Sequence, residues 1–219
     1  MTIKWSFSSL KDFVTCPRQY YEIKVAQNFT KRISEQMTYG TAVHKALEDY
    51  VKEGIPLPKN YERFKKYVDP LLQVAGERYP EYEMALDINK KPCGFHAPEY
   101  WVRGIADLVI VDGNKAFIVD YKTGSARNPD PNQLKLMALM AYAHFPSIEK
   151  IKASLMFVAH DTLVFEEYER AEQAKLWNTF QVDLNRLQLA YENNLWPENP
   201  NFFCRKWCPV TTCRFNGDR

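Results

Sequence analysis

The residues best suited to do chemistry in this chain are Asp107, Asp120 and Lys122, set in Gly104-Ile-Ala-Asp107-Leu-Val-Ile-Val and Phe117-Ile-Val-Asp120-Tyr-Lys122-Thr-Gly124. The two runs of β-branched and apolar residues flank Asp112-Gly-Asn-Lys115, a hairpin signal. With Gly113-Asn114 as a two-residue loop, Asp112 pairs with Lys115 and Asp107 falls opposite Asp120. A three-residue loop would shift the register and separate the two acids. Alternation puts Asp120 and Lys122 on one face of their strand and Tyr121 on the other. Opposed side chains have Cβ atoms about 4.5–5.5 Å apart, where like charges repel. Val109, Ile110, Ile118 and Val119 make both strand faces apolar, so these charges are costly unless paired or metal-bound. Two carboxylates face to face beside an ammonium call for a divalent cation, and hard oxygen ligands suit Mg²⁺ or Mn²⁺.

Three further groups belong to the same chemistry or to a second site. In Tyr39-Gly40-Thr-Ala-Val-His44, helical spacing puts His44 on the face of Gly40, whose small size admits another backbone. A neutral imidazole beside two carboxylates would complete a mixed nitrogen and oxygen shell. Upstream of the hairpin, Tyr82, Met84, Leu86 and Ile88 alternate, which places Glu81, Glu83 and Asp87 on the opposite strand face. Glu83 is the favoured acid there, and Glu81 competes from the same face. Cys16, Cys204, Cys208 and Cys213 could supply four thiolates to a [4Fe–4S] cluster or to Zn²⁺. The alternative is an apolar clasp of reduced thiols with Trp207 and Phe215. Cys93, alone in Lys-Pro-Cys-Gly, is expected to be unligated.

The G-x-x-D and D-x-K-T-G strands preceded by G-x-x-x-H resemble the PD-(D/E)xK nuclease superfamily, specifically its RecB-type exonuclease branch with iron–sulfur CRISPR-associated and phage-encoded members. Ser6-Phe-Ser8-Ser-Leu10-Lys-Asp-Phe13-Val-Thr-Cys16-Pro17 is similar to that branch's N-terminal helix, and Gln133-Leu134 to the Gln of its later helix. The resemblance implies an α-β-β-β-α-β core with added N-terminal helices, a long C-terminal helix and a cysteine-rich tail. It implies that His44, Glu83, Asp107, Asp120 and the carbonyl of Tyr121 hold Mg²⁺ or Mn²⁺. Lys122 would orient the attacking water, and Gln133 would bind phosphate or water. It also implies hydrolysis of DNA to 5′-phosphates, most readily at single-stranded ends, and a [4Fe–4S] cluster on Cys16, Cys204, Cys208 and Cys213. Two departures stand out: Met137 occupies a place where the family often has Tyr, and the late cysteines run C-x3-C-x4-C rather than C-x2-C-x5-C.

The elements that must position these groups follow from periodicity. Ser8 or Ser9 caps a first helix carrying Leu10, Phe13 and Val14, and Pro17 restarts it. A second helix over 37–53 stops at Gly54. A third, over 61–79, is kinked or split by Pro70. Asp130-Pro131 opens a helix that runs to His144. Segments 150–159 and 162–168 form a second hairpin turning at His160-Asp161, and an amphipathic helix covers 171–193 with Leu176, Phe180, Leu184, Leu187 and Tyr191 inward.

One domain over 1–219 is expected, with a helical part at 1–80, a catalytic sheet at 81–170 and the helix and cysteine tail at 171–219. Net charge is only +2, which excludes a strongly basic polyanion binder. Lys4, Lys11, Arg18, Lys24, Lys31 and Arg32 near the start, and Arg205, Lys206, Arg214 and Arg219 near the end, could still form a local basic rim. No run of 18 apolar residues exists, so no membrane span is expected. The first residues lack a signal-peptide layout, so a cytoplasmic protein with free or metal-binding thiols is expected. A DNA-trimming CRISPR-associated relative with protein partners would share every residue named. A non-enzymatic binding module would have no use for opposed carboxylates. An RNA-directed nuclease is the third alternative.

Overall fold

The computed structural model describes residues 2–127 and 129–217. Two compact units emerge: Ile3–Ser34 with Asn178–Arg219, and Glu35–Trp177.

In the first unit, α1 spans Phe7–Thr15 and α2 Pro17–Tyr20, followed by one wide turn at Tyr21–Val25. The cap of α1 is Ser6, two residues before the earliest expected serine. Its hydroxyl accepts from Ser9 N, and Ser9 Oγ accepts from Ser6 N. Leu10 and Phe13 are buried, and Pro17 occupies the first turn of α2, where no amide is needed. The last helix, α6 (Gln173–Asn193), begins in the second unit and continues into the first. Leu176, Phe180 and Leu187 are buried along it.

The second unit is a five-stranded sheet with helices on it. It begins with α3 (Glu35–Glu53), which stops at Gly54 with φ +69, and α4 (Lys65–Leu72), entered by one 3₁₀ turn at Glu62–Phe64. The expected long third helix is therefore short. Chain that was expected to be helical up to residue 79 instead enters β1 (Glu77–Leu86), which pairs with β2 (Val102–Asp112). Then follow β3 (Lys115–Lys122), α5 (Asn132–His144), β4 (Lys150–Phe157) and β5 (Thr162–Glu169). The strands lie in sequence order, all antiparallel except β3 and β4, which are parallel and joined through α5.

Val43, Leu47, Phe64 and Val68 of α3 and the α4 segment pack on Leu108, Ile110, Val119 and Tyr121. Each such side chain stabilises the fold by about 1.5–3 kcal/mol. The opposite face carries α5, which is buried almost all round and touches every strand. Among the described residues no helix is long and apolar enough to cross a membrane.

Candidate active site and cysteine site

The hairpin pairs Asp112 with Lys115 and Leu108 with Val119, the register a Gly113-Asn114 loop dictates, and Gly113 has φ +59. The ladder ends at Leu108, and Asp107 takes over. Its Oδ2 accepts from Tyr121 N at 2.5 Å, and its Oδ1 lies 3.1 Å from His44 Nδ1. His44 is one residue beyond the buried Val43, at the edge of α3's apolar stripe, so the packing of Val43 and Leu47 fixes where the imidazole stands. Gly40, one turn earlier, sets how close that helix comes. A Cβ there would stand 3.1 Å from Thr123 Oγ1 at the end of β3.

Asp120 and Lys122 share the α5 face, as alternation requires. Lys122 Nζ is 2.5 Å from Asp120 Oδ2. Gln133, in the first turn of α5, ties the pair together: Lys122 Nζ donates to its Oε1 at 2.9 Å, and its Nε2 donates to Asp120 Oδ1 at 2.6 Å. The amide thus donates to the carboxylate through its NH₂ and accepts from the ammonium through its oxygen. Met137 is buried in the α5 core.

The acid from β1 is Glu81. Its carboxylate oxygen lies with a ring nitrogen of His44 and a carboxylate oxygen of Asp107, all within 4.8 Å of one another. Glu83 is exposed and outside this group. The reason is a backbone inversion. Glu81 has φ +46, and the β1–β2 ladder skips it, running from Pro80–Leu108 to Tyr82–Ala106. Tyr79 and Tyr82, three apart, both pack on Phe145 at 5.2 Å, so the side-chain phase flips between them. Simple alternation placed Glu81 and Glu83 together, and the flip separates them. Ile88 lies beyond the strand and is exposed. The available signal was Pro80, since a proline inside a strand marks an irregularity.

Crowding of acids shows in their protonation. Burial pushes the Glu81 carboxyl up to about 7, with Asp107 adding to it and His44 opposing. Burial raises Asp120 to about 6, against the pull of Lys122, and Asp107 adds to the rise. Burial alone would lower His44, but the hydrogen bond and charge of Asp107 outweigh it and raise it. This constellation can hold a hard divalent ion: one imidazole and several carboxylates meet in a partly dry site, and the ion would relieve their repulsion.

In the first unit Cys16, Cys204, Cys208 and Cys213 line one small cavity. Cys208 is buried. Burial raises its thiol and a backbone hydrogen bond at Val210 opposes this, while Cys204, Cys16 and Cys213 are close enough to add to the rise. Cys93 is a separate free thiol in the other unit. An apolar anchor for the tail is Trp196. Its ring stacks on Tyr20 at 6.0 Å and meets Phe13, Tyr21 and Tyr191. Asn199 and Asn201 donate to Thr15 O, satisfying a carbonyl at the end of α1.

A model of the PD-(D/E)XK nuclease superfamily matches residues 4–213. No curated protein sequence matches the chain. Among solved structures, one from Eubacterium rectale, provisionally assigned as an exonuclease, superposes with a TM-score of 0.57 at 12% identity, covering 96% of this chain and 88% of its own. The protein SSO0001 superposes with a TM-score of 0.47 at 16% identity, covering 97% and 87%.

Proposed function

The chain belongs to the PD-(D/E)XK nuclease superfamily, and on that premise we propose that it is a divalent-metal-dependent deoxyribonuclease, an exonuclease acting on single-stranded ends and leaving 5′-phosphates. The observation that carries the reading is the meeting of His44, Glu81 and Asp107 beside the Asp120–Gln133–Lys122 network. His44, Glu81, Asp107 and Asp120, with the carbonyl of Tyr121, would hold Mg²⁺ or Mn²⁺. The bound ion supplies Lewis acidity and a water of lowered pKa. Lys122 orients that water and offsets charge developing on the phosphate. Gln133, bonded to both groups, fixes where the Lys122 ammonium stands beside Asp120. The test is incubation of the purified protein with end-labelled single-stranded DNA, double-stranded DNA and RNA in Mg²⁺, Mn²⁺ or EDTA. Cleavage that persists in EDTA, or none in either metal, defeats the proposal.

At the cysteine site the reading is a [4Fe–4S] cluster. Zn–S bonds of about 2.3 Å would bring tetrahedral sulfurs to about 3.8 Å from one another. Among the described residues, only His44, Glu81 and Asp107 form a group of three or more potential ligands with donor atoms within 4.8 Å, so the thiols are more widely spread than zinc asks. A larger cluster suits that spread, and four Cys thiolates are its usual ligands. Brown protein absorbing near 400 nm, with about four irons per chain, is the expected result. One zinc per chain would replace it.

A further inference from the structure

The tail segment 202–215 inverts the usual rule of burial. It encloses Cys208 and Val210, with Asn216 just beyond, while its largest rings stand in solvent. Phe202 is 75% exposed, Phe203 52%, Trp207 44% and Phe215 39%. Four exposed aromatics within one short segment are uncommon on a protein surface and mark a contact. The segment is a built structure. Trp207 N and Cys208 N both donate to Phe203 O at 2.9 Å, Asn216 Nδ2 donates to Cys208 O, and Gly217 N donates to Cys204 O. A Cβ at Gly217 would stand 2.5 Å from Arg205 O, so the closure needs glycine there.

Charge identifies the occupant. Residues 202–215 contain Arg205, Lys206 and Arg214 and no acid, so this segment alone carries +3 while the whole chain carries +2. The cations sit beside the rings: Lys206 Nζ is 5.4 Å from the Trp207 centroid and the Arg214 guanidinium 4.8 Å from that of Phe215. Arg32 joins them by donating to Lys206 O. Among the described residues, Arg214 also meets an acid, Glu198, at 3.4 Å. Rings alternating with cations match a strand whose unpaired bases stack while its phosphates meet charge. A protein partner would match the rings but would have no need of an acid-free run.

We propose that Phe202, Phe203 and Trp207, with Arg205 and Lys206, form a base-stacking platform for single-stranded nucleic acid. The proposal rests on the reading of the chain as a nuclease of single-stranded ends. It assigns to the tail a substrate contact separate from the groups that carry out cleavage. The test is fluorescence anisotropy of a labelled 20-residue oligothymidine, and of an abasic strand of equal length, with no divalent metal added. Each of Phe202→Ala, Phe203→Ala and Trp207→Ala is expected to weaken oligothymidine binding roughly five- to a hundredfold and to leave the abasic strand unaffected. Arg205→Gln with Lys206→Gln is expected to weaken both strands and to lower the salt slope by about 1.4. Thermal melting unchanged from the parent shows that these surface variants fold. Ring variants that bind oligothymidine like the parent overturn the platform and assign the rings to a protein contact. If the parent binds the strand but cleaves nothing with metal, the nuclease reading fails while the platform stands.

Discussion

The carboxylate site and the cysteine site both gather donors from distant parts of the chain, but they anchor them differently. His44, Glu81, Asp107, Asp120 and Lys122 stand on a helix and three strands, each seated by buried side chains such as Val43, Leu108 and Ile118. That frame holds like charges together before any ion arrives, and the raised Glu81 and Asp120 carboxyls record the cost. Cys16 instead occupies the extended joint between α1 and α2, Cys204 a 3₁₀ turn, and Cys208 and Cys213 lie in the irregular chain that follows. A thiol outside the ladder has no strand partner to fix it, so a group bound there would contribute to folding, whereas in the sheet it would be added to a finished frame.

The largest effect that would break this contrast is on cleavage. Asp120→Asn or Lys122→Ala is expected to cut the rate at least a hundred- to thousandfold while thermal melting shows a folded protein. Near-parental activity in either variant removes these residues from the reaction. Next comes Cys208→Ser, expected to bleach the protein, lower Tm by on the order of 10 °C and open both termini to limited proteolysis. An unaltered melting curve would make the thiols simple packing.

A sharper comparison separates the two glutamates of β1. Glu81→Gln is expected to raise the metal concentration for half-maximal activity roughly ten- to a hundredfold, and Glu83→Gln to change it less than about twofold. Equal effects would mean that the inverted backbone at Glu81 is not what selects the ligand.

The smallest effect is the pH profile of stability without metal. Glu81 and Asp120 have folded pKa values near 7 and 6, above their ordinary carboxylate range, so the folded state binds more protons than the unfolded one between about pH 4 and 7. Stability therefore falls as pH rises through that window. His44, also raised, stabilises below its unfolded pKa, and that contribution is lost as pH climbs through the folded one, in the same direction. Calorimetry should show a falling Tm from pH 5 to 8, flattened by saturating Mg²⁺ or Mn²⁺. A metal-free Tm that rises over that range contradicts the crowding of these acids.

How much was legible in the sequence depended on whether local chemistry set the geometry. The Gly113-Asn114 turn admits one tight register, so the pairing from Asp112–Lys115 to Leu108–Val119 could be read directly, while the ladder stops short of the expected Asp107–Asp120 pair. Gly54 marked the end of α3, and Gln133 sat where a first-turn residue reaches back to β3. Glu81 was hidden because alternation assumes uniform backbone dihedrals, and one left-handed residue breaks the assumption. The start of β1 was hidden because apolar residues around Val68 to Val74 fit a helical period that the chain abandons at Gln73. Convergence of the cysteines could be suspected from their chemistry. The anchoring of the tail by Trp196 could not, since it depends on rings 175 or more residues away in sequence.

The inversion at Glu81 also constrains how this strand can vary. The two halves of β1 carry inward-facing patterns that are out of phase by one position, with the kink as the joint between them. A single-residue deletion on either side would not merely shift a strand. Taken between Tyr79 and Tyr82, it would bring both halves into one phase, leaving the two tyrosines on one face by plain alternation but removing the left-handed position that brings the acid to His44. Across homologues, insertions and deletions should therefore be excluded from Tyr79 to Tyr82 while both flanks tolerate substitution, and an aligned family should show its hydrophobic phase jump at this one position.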